Sequence, residues 1–182
     1  MKYIRAFLIL AIAILGVSSI EISAQDATFS QQAIEKKISK EINMLPFYGV
    51  FDNITFKFDG SNVTLNGGVV RPTTKSSVEN IVKRMKGVSS VFNNIEVLPL
   101  SSFDNQIRLQ TLQTFASRGG NLGRYIQEPL PSMRIIVANG RVSLEGYVAN
   151  KSDADLANIL AKGVFGVFDV QNNLIVDKER AG

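Results

Sequence analysis

The residue types of this chain limit the chemistry that it can perform. The sequence of 182 residues contains no histidine and no cysteine. The commonest general base, the thiol nucleophile and most transition-metal ligands are therefore missing. Four carboxylates stand out, and each is expected in a turn, on a strand face or near a helix start, where charges are usually solvated: Asp59, Glu96, Glu145 and Asp153. We predict no catalytic site, no metal site and no cofactor.

A glycine-rich segment at residues 119–123 (GGNLG) is a weak match to a phosphate-binding loop, because it follows a predicted helix and lacks the Lys-Ser/Thr pair. Its surroundings are more informative. Residues 117–133 (SRGGNLGRYIQEPLPSM) mix arginines with apolar and aromatic side chains. This composition suits a phospholipid surface, since apolar groups enter the interface while guanidinium groups meet phosphates. The candidate lipid-binding residues are Arg118, Leu122, Arg124, Tyr125, Ile126, the nearby Arg134, and Phe47 and Tyr48 from the earlier apolar stretch 44–51.

A second interpretation of the same side chains is structural. Tyr125, Ile126, Phe47 and Tyr48 are equally expected to close the cores of small domains or the contact between them. Domains of about 70 residues bury little more than half of their unfolded surface and need every apolar residue that they have. The sequence leaves both interpretations open.

The elements that position these residues occur twice. Residues 63–97 and 142–176 share one pattern at a constant offset of 79 positions, including their glycines, core valines and an Asn-Asn pair. A repeat of this length is one small domain used twice. Between the first helix and the hairpin, the first copy has 17 positions (from Ile42 to Asp59) and the second has 24 (from Phe115 to Asn139). The extra residues fall within the arginine-containing segment.

Each copy reads as helix, strand, strand, helix, strand. In the first copy, Ile34, Ile38 and Ile42 recur every four residues, which predicts a helix. Alternating apolar residues on both sides of Asn139-Gly140 predict a β-hairpin in the second copy. The following strand–helix–strand unit predicts a right-handed parallel crossover. We therefore predict an α+β chain of two tandem αββαβ domains, each a mixed three-stranded sheet with two helices on one face.

The repeated pattern resembles the BON family, named for bacterial osmotic-stress and nodulation proteins. The first copy matches it at Gly60, Val63, Leu65, Gly67, Val69, Gly87, Val88, Val91, Asn93 and Val97. The second copy matches it at Gly140, Val142, Leu144, Gly146, Val148, Gly166, Val167, Val170, Asn172 and Val176. The resemblance implies a non-enzymatic protein of the bacterial envelope that binds phospholipid surfaces and supports stress tolerance. It implies structural roles for the motif glycines and supplies no binding residues.

The N-terminus predicts export. Lys2 and Arg5 precede an apolar run at residues 6–17, and small residues follow. This order is typical of a secretory signal peptide, and Glu21 ends a run too short to span a bilayer. With no cysteine to carry a lipid, the expected location is the periplasm or the exterior. The predicted organisation is a signal peptide at 1–24, domains at 29–98 and 103–177, a linker at 99–102 and a polar tail at 178–182.

Two functions remain open from the sequence. The formal charge changes from +4 to +3 when Lys2, Arg5 and Glu21 are removed with the signal, which is too weak a basic bias for nucleic-acid binding. The first hypothesis is peripheral binding to anionic phospholipid, without a transmembrane segment in the mature chain. The second is a periplasmic scaffold that binds another envelope protein, with a sheet edge as one way to do so.

Overall fold

The computed structural model describes residues 24–127 and 129–181, with side chains described from residue 31 onward. The signal-peptide prediction for residues 1–23 lies outside this range. The elements of the first copy are α1 (Ala24–Asn43), β1 (Asn53–Asp59), β2 (Asn62–Val69), α2 (Pro72–Lys83) and β3 (Ser90–Val97). Those of the second copy are α3 (Ser102–Arg118), a 3-10 helix (Gly120–Ile126), β4 (Met133–Ala138), β5 (Arg141–Val148), α4 (Lys151–Lys162) and β6 (Asp169–Val176).

The two copies have the same sheet topology. In each sheet the first strand pairs antiparallel with the second, and the second pairs parallel with the third, in the orders β1-β2-β3 and β4-β5-β6. Alternation directs one face of each sheet towards the helices. The resulting cores contain Ile38, Leu65 and Ile95 in the first copy, and Phe115, Leu122 and Leu144 in the second. The α+β architecture predicted from the repeat is confirmed.

The repeated motif residues serve the fold. All six motif glycines have positive φ: Gly60, Gly67, Gly87, Gly140, Gly146 and Gly166. The repeated asparagine joins a strand to a helix, because the side-chain amide of Asn93 donates to the Lys75 carbonyl and that of Asn172 donates to the Ala154 carbonyl. These bonds tie β3 to α2 and β6 to α4, which explains the asparagine without a ligand.

The two copies contact each other through the loop between α1 and β1. The amide of Ile135 in β4 donates to the carbonyl of Val50 at 2.8 Å. Arg134 donates to the Gly49 carbonyl at 2.8 Å and stacks over the ring of Tyr48, with its guanidinium carbon 4.4 Å from the ring centroid. Val50 is itself part of the second copy's core. The short linker is therefore accompanied by a packed and hydrogen-bonded seam.

Across the part of the chain that is described, no helix combines the length and the apolar character needed to cross a bilayer.

Candidate functional site

The arginine-containing segment forms part of the second core. Residues 120–126 make a 3-10 helix that packs against α3, and its apolar side chains point inward. Leu122 and Tyr125 are fully buried and Ile126 is 6 % exposed. These three residues cannot reach a lipid surface in this conformation. For them, the structural interpretation of the sequence agrees with the fold, and the lipid-binding interpretation does not.

The hydroxyl of Tyr125 has a defined role inside this core. It donates to a carboxylate oxygen of Asp153 at 2.5 Å and accepts from the Ala149 amide at 3.2 Å. Burial, followed by the bond to Asp153, raises the pKa of Tyr125 above its ordinary value. The expectation that Asp153 is a solvated charge is wrong, because Asp153 is buried and also accepts from the Asn150 side chain.

Tyr48 and Arg134 belong to the seam between the copies. Tyr48 is 7 % exposed, and its hydroxyl accepts from the Ile54 amide at 3.0 Å. Burial raises the pKa of Tyr48 above its ordinary value, although Arg134 acts in the opposite direction. Arg134 is 8 % exposed. Neither side chain lies on the outer surface of the molecule, but both line the groove between the copies.

Three of the predicted residues are exposed. Arg118 lies at the end of α3, and Arg124 stacks over the ring of Tyr125 with its guanidinium carbon 5.1 Å from the ring centroid. Phe47 is 74 % exposed and has φ +64°, a backbone conformation that phenylalanine rarely adopts. Of the predicted apolar anchors, only Phe47 remains on the outside of the molecule.

Phe47 lies within a larger apolar surface. Met44 is 67 % exposed on the same loop, and Pro129 of the second copy lines the same shallow depression as Met44 and Phe47. Pro129 is also exposed. The guanidinium carbon of Arg71 lies 4.3 Å from the centroid of the Phe47 ring. We call Met44, Phe47, Arg71 and Pro129 the Phe47 surface. It joins the two stretches that the sequence had suggested, and Arg71 was missed.

A second exposed aromatic group was also missed. Phe165 and Phe168 flank the turn between α4 and β6 and are 84 % and 77 % exposed. The ring of Phe103 lies 6.3 Å from that of Phe168, centroid to centroid. The first copy has Lys86 and Ser89 at the positions of Phe165 and Phe168. An alignment of the two copies at this turn would have shown, from the sequence alone, that the two phenylalanines occur only in the second copy.

The fold defines a class of small α+β modules, which this chain uses in tandem. Two solved structures of the Chlamydia trachomatis type III secretion protein CdsD are similar to this chain. Its C-terminal domain is 16 % identical, with a TM-score of 0.26, covering 80 % of this chain and 96 % of that one. The other is 14 % identical, with a TM-score of 0.25, covering 85 % of this chain and 94 % of that one. No curated protein matches.

The BON domain model matches residues 30–99 and 121–178. The chain therefore belongs to the BON domain family, a family of non-catalytic binding domains. The two matched segments correspond to the two copies, and they confirm the tandem pair that the repeated motif predicted.

Proposed function

We propose that this chain is an exported, non-enzymatic envelope protein that binds anionic phospholipid surfaces peripherally and so supports envelope integrity under stress. The periplasm or the cell exterior is the proposed location. The observation that carries the proposal is the exposed ring of Phe47 beside Arg71. Membership in the BON family adds support, because the resemblance implies phospholipid binding.

The Phe47 surface has the composition of an interfacial contact. Its exposed apolar side chains are Met44, Phe47 and Pro129, and the guanidinium group of Arg71 lies against the ring of Phe47. Such side chains bury their apolar parts at the boundary between headgroups and acyl chains, while a guanidinium group reaches the phosphates. Phe47 also keeps a left-handed backbone, which is unfavourable for an aromatic residue. A strained aromatic residue left in solvent is more consistent with binding than with stability.

The expected affinity is modest. Each buried apolar side chain contributes about 1.5–3 kcal/mol, and a nearby arginine contributes about 1 kcal/mol. Ordering and orientation on the surface oppose these terms and leave binding in the micromolar range or weaker. An affinity of this size fits a reversible peripheral contact.

The test is co-sedimentation of the mature chain, residues 25–182, with phosphatidylcholine vesicles and with vesicles that also contain phosphatidylglycerol. The measurement is made at low and at physiological salt. We expect binding that requires the anionic lipid and weakens with salt, because exposed charges are screened. Absence of binding to both vesicles would refute the proposal.

A matched pair of variants locates the site. Phe47→Asn keeps a residue type that tolerates positive φ and removes the ring, so we expect vesicle affinity to fall about tenfold. Phe92→Asn removes another exposed phenylalanine, 58 % exposed on β3, and should leave affinity unchanged. Equal losses in both variants, or no loss in either, would remove the Phe47 surface from the proposal.

A further inference from the structure

A groove of about 620 Å³ runs between the two copies, within the size range of ligand clefts. On one side it is lined by α1 and by four consecutive residues of β1, from Asn53 to Phe56. The opposite wall contains Glu145, Tyr147 and Ile175 from the second sheet, together with Arg180. An edge strand therefore forms part of one wall.

The outer edge of β1 presents the backbone amide of Phe56, which has no partner among the described residues. The Ile54 amide points away from β2, because it donates to the Tyr48 hydroxyl at 3.0 Å. Alternate residues of a strand direct their amides to the same side, so the Phe56 amide points outward as well. Among the described residues, no acceptor outside the β1–β2 ladder bonds to that amide. An unpaired strand edge is a ready template for another strand.

The second copy shows how this position is used. Ile135 occupies the position of Phe56 in the repeat, 79 residues later, and its amide donates to the Val50 carbonyl at 2.8 Å. The same outward amide is therefore paired with a carbonyl of the loop between α1 and β1 in one copy and open to the groove in the other. The difference lies in what covers the edge, because both sheets have the same topology.

The groove also presents positive charge. The side chain of Arg134 lines it and is 92 % buried, and within residues 24–127 and 129–181 its one hydrogen bond is to the Gly49 carbonyl. No carboxylate among the described residues lies within 4.0 Å of its guanidinium group. Arg180 adds an exposed cation, whose Nε lies 3.5 Å from Oδ2 of Asp177. The one acidic residue among the lining residues, Glu145, already accepts from the side chains of Ser143 and Asn173.

We propose that this groove receives an extended, acidic peptide segment of a partner protein, which adds to β1 as a fourth strand. A backbone carbonyl of the peptide accepts from the Phe56 amide, and an acidic side chain reaches Arg134. Four residues in β conformation span about 13 Å, which matches the four residues of β1 that line the groove. Main-chain bonds supply affinity and side-chain contacts supply selectivity in this mode of recognition. The site is separate from the Phe47 surface and needs no lipid.

The first test is selection from a library of random phage-displayed heptapeptides on the mature chain, followed by fluorescence anisotropy of the selected peptides. We expect enriched sequences with acidic and β-branched residues.

A pair of variants at Phe56 tests the main-chain bond. Phe56→Pro removes the outward amide at an edge position that tolerates proline, and Phe56→Ala removes the same ring but keeps the amide. Affinity should fall at least tenfold more in Phe56→Pro than in Phe56→Ala. No enrichment, or equal affinities in the two variants, would overturn the proposal.

A second pair leaves the first copy untouched. Ile175 lines the groove and is 55 % exposed, whereas Val176, the next residue of β6, is 52 % exposed and does not line it. Ile175→Trp should fill the groove and lower peptide affinity at least tenfold, while Val176→Trp should not. Equal effects on peptide binding would contradict the groove as the site, even if Phe56→Pro failed to fold. Lipid binding should be normal in both tryptophan variants.

Discussion

The hydroxyls of two buried tyrosines, Tyr125 and Tyr48, make hydrogen bonds at the edges of the apolar cores. The Tyr125 hydroxyl links the 3-10 helix to Asp153 and to the amide of Ala149, and the Tyr48 hydroxyl satisfies the amide of Ile54. A buried polar group left without its partner costs more than an average hydrogen bond contributes. These hydroxyls explain why tyrosine, and not phenylalanine, occupies both positions.

Removing one buried hydroxyl should therefore destabilise the second copy. We expect Tyr125→Phe to lower the free energy of unfolding by about 1–3 kcal/mol, because Asp153 and Ala149 lose a buried partner. Urea denaturation followed by circular dichroism measures this change. Tyr147→Phe is the control, since that hydroxyl accepts from the exposed Arg180 and its loss should cost less than about 0.5 kcal/mol. Similar stability of Tyr125→Phe and the native chain would contradict the assigned role.

Stability should also fall in alkali. Burial raises the pKa of both Tyr48 and Tyr125 above the ordinary value of 10.0, so these hydroxyls ionise in the unfolded chain at lower pH than in the folded one. Their contribution is fully present below pH 10.0 and is lost as pH rises above it. We expect urea midpoints to be constant from neutral pH to about pH 9 and to decrease above pH 10. A Tyr48→Phe, Tyr125→Phe double variant with an unchanged alkaline slope would argue against this origin.

The strands and helices were largely predictable, because their burial repeats at fixed periods. Ile54 and Phe58 alternate with exposed neighbours, and the Asn139-Gly140 turn specifies its hairpin. The 3-10 helix had no such signal. In residues 120–126, burial depends on contacts with α3 and with Asp153, which are distant in sequence. For the same reason the sequence could not decide whether Tyr125 and Ile126 faced the core or a membrane.

The second strand of each sheet requires a glycine, because the backbone before or at the start of the first strand lies against it. A Cβ at Gly146 would lie 2.1 Å from the Ser132 carbonyl oxygen, and one at Gly67 would lie 2.0 Å from that of Asn53. Both glycines also have strongly positive φ, +103° and +122°. The preceding strand therefore approaches β2 and β5 so closely that no side chain fits.

We expect Gly146→Ala to destabilise the protein by about 3 kcal/mol or more, because a backbone atom cannot move aside as a side chain can. Differential scanning calorimetry measures the loss. The control is Gly60→Asn, at φ +63° with no atom within 4 Å of a built Cβ. Asparagine tolerates this conformation, so a change below about 0.5 kcal/mol is expected. A mild effect of Gly146→Ala would show that the strands can separate at this point.

At the scale of the whole molecule, the two copies also differ where they meet. Ile136 of β4 packs over Gly68, since a Cβ added to Gly68 would lie 3.6 Å from Cγ2 of Ile136. The matching residue of the first copy is Lys57, which is exposed on β1. At this position, β1 therefore presents a lysine to solvent. The equivalent position of β4 has an isoleucine, which the first copy covers. The sequence indicated this contact only through the short linker.

Replacing Ile136 with the residue of the other copy should uncouple the domains. We expect the mature chain to unfold in a single thermal transition, and Ile136→Lys to unfold in two, because a lysine at this half-buried position removes apolar contact from the seam and adds a charge without a partner. Tyrosine fluorescence and circular dichroism at several wavelengths would detect the separation. Lys57→Ile, the reciprocal change at an exposed position, should keep one transition. A single, unshifted transition in Ile136→Lys would show that the domains are held together by other contacts.

The bond between Val50 and Ile135 also suits the order in which the chain is made. Domains fold as units during synthesis, the N-terminal one first. In an exported chain the N-terminal copy also emerges first from the membrane, so it can complete its fold, with the Val50 carbonyl in place, before β4 emerges. The edge of β4 is covered as soon as it forms, and it has little time to pair with another chain. A rearranged gene that placed the second copy first would leave that edge open until the first copy had emerged and folded, and we expect such a chain to aggregate more.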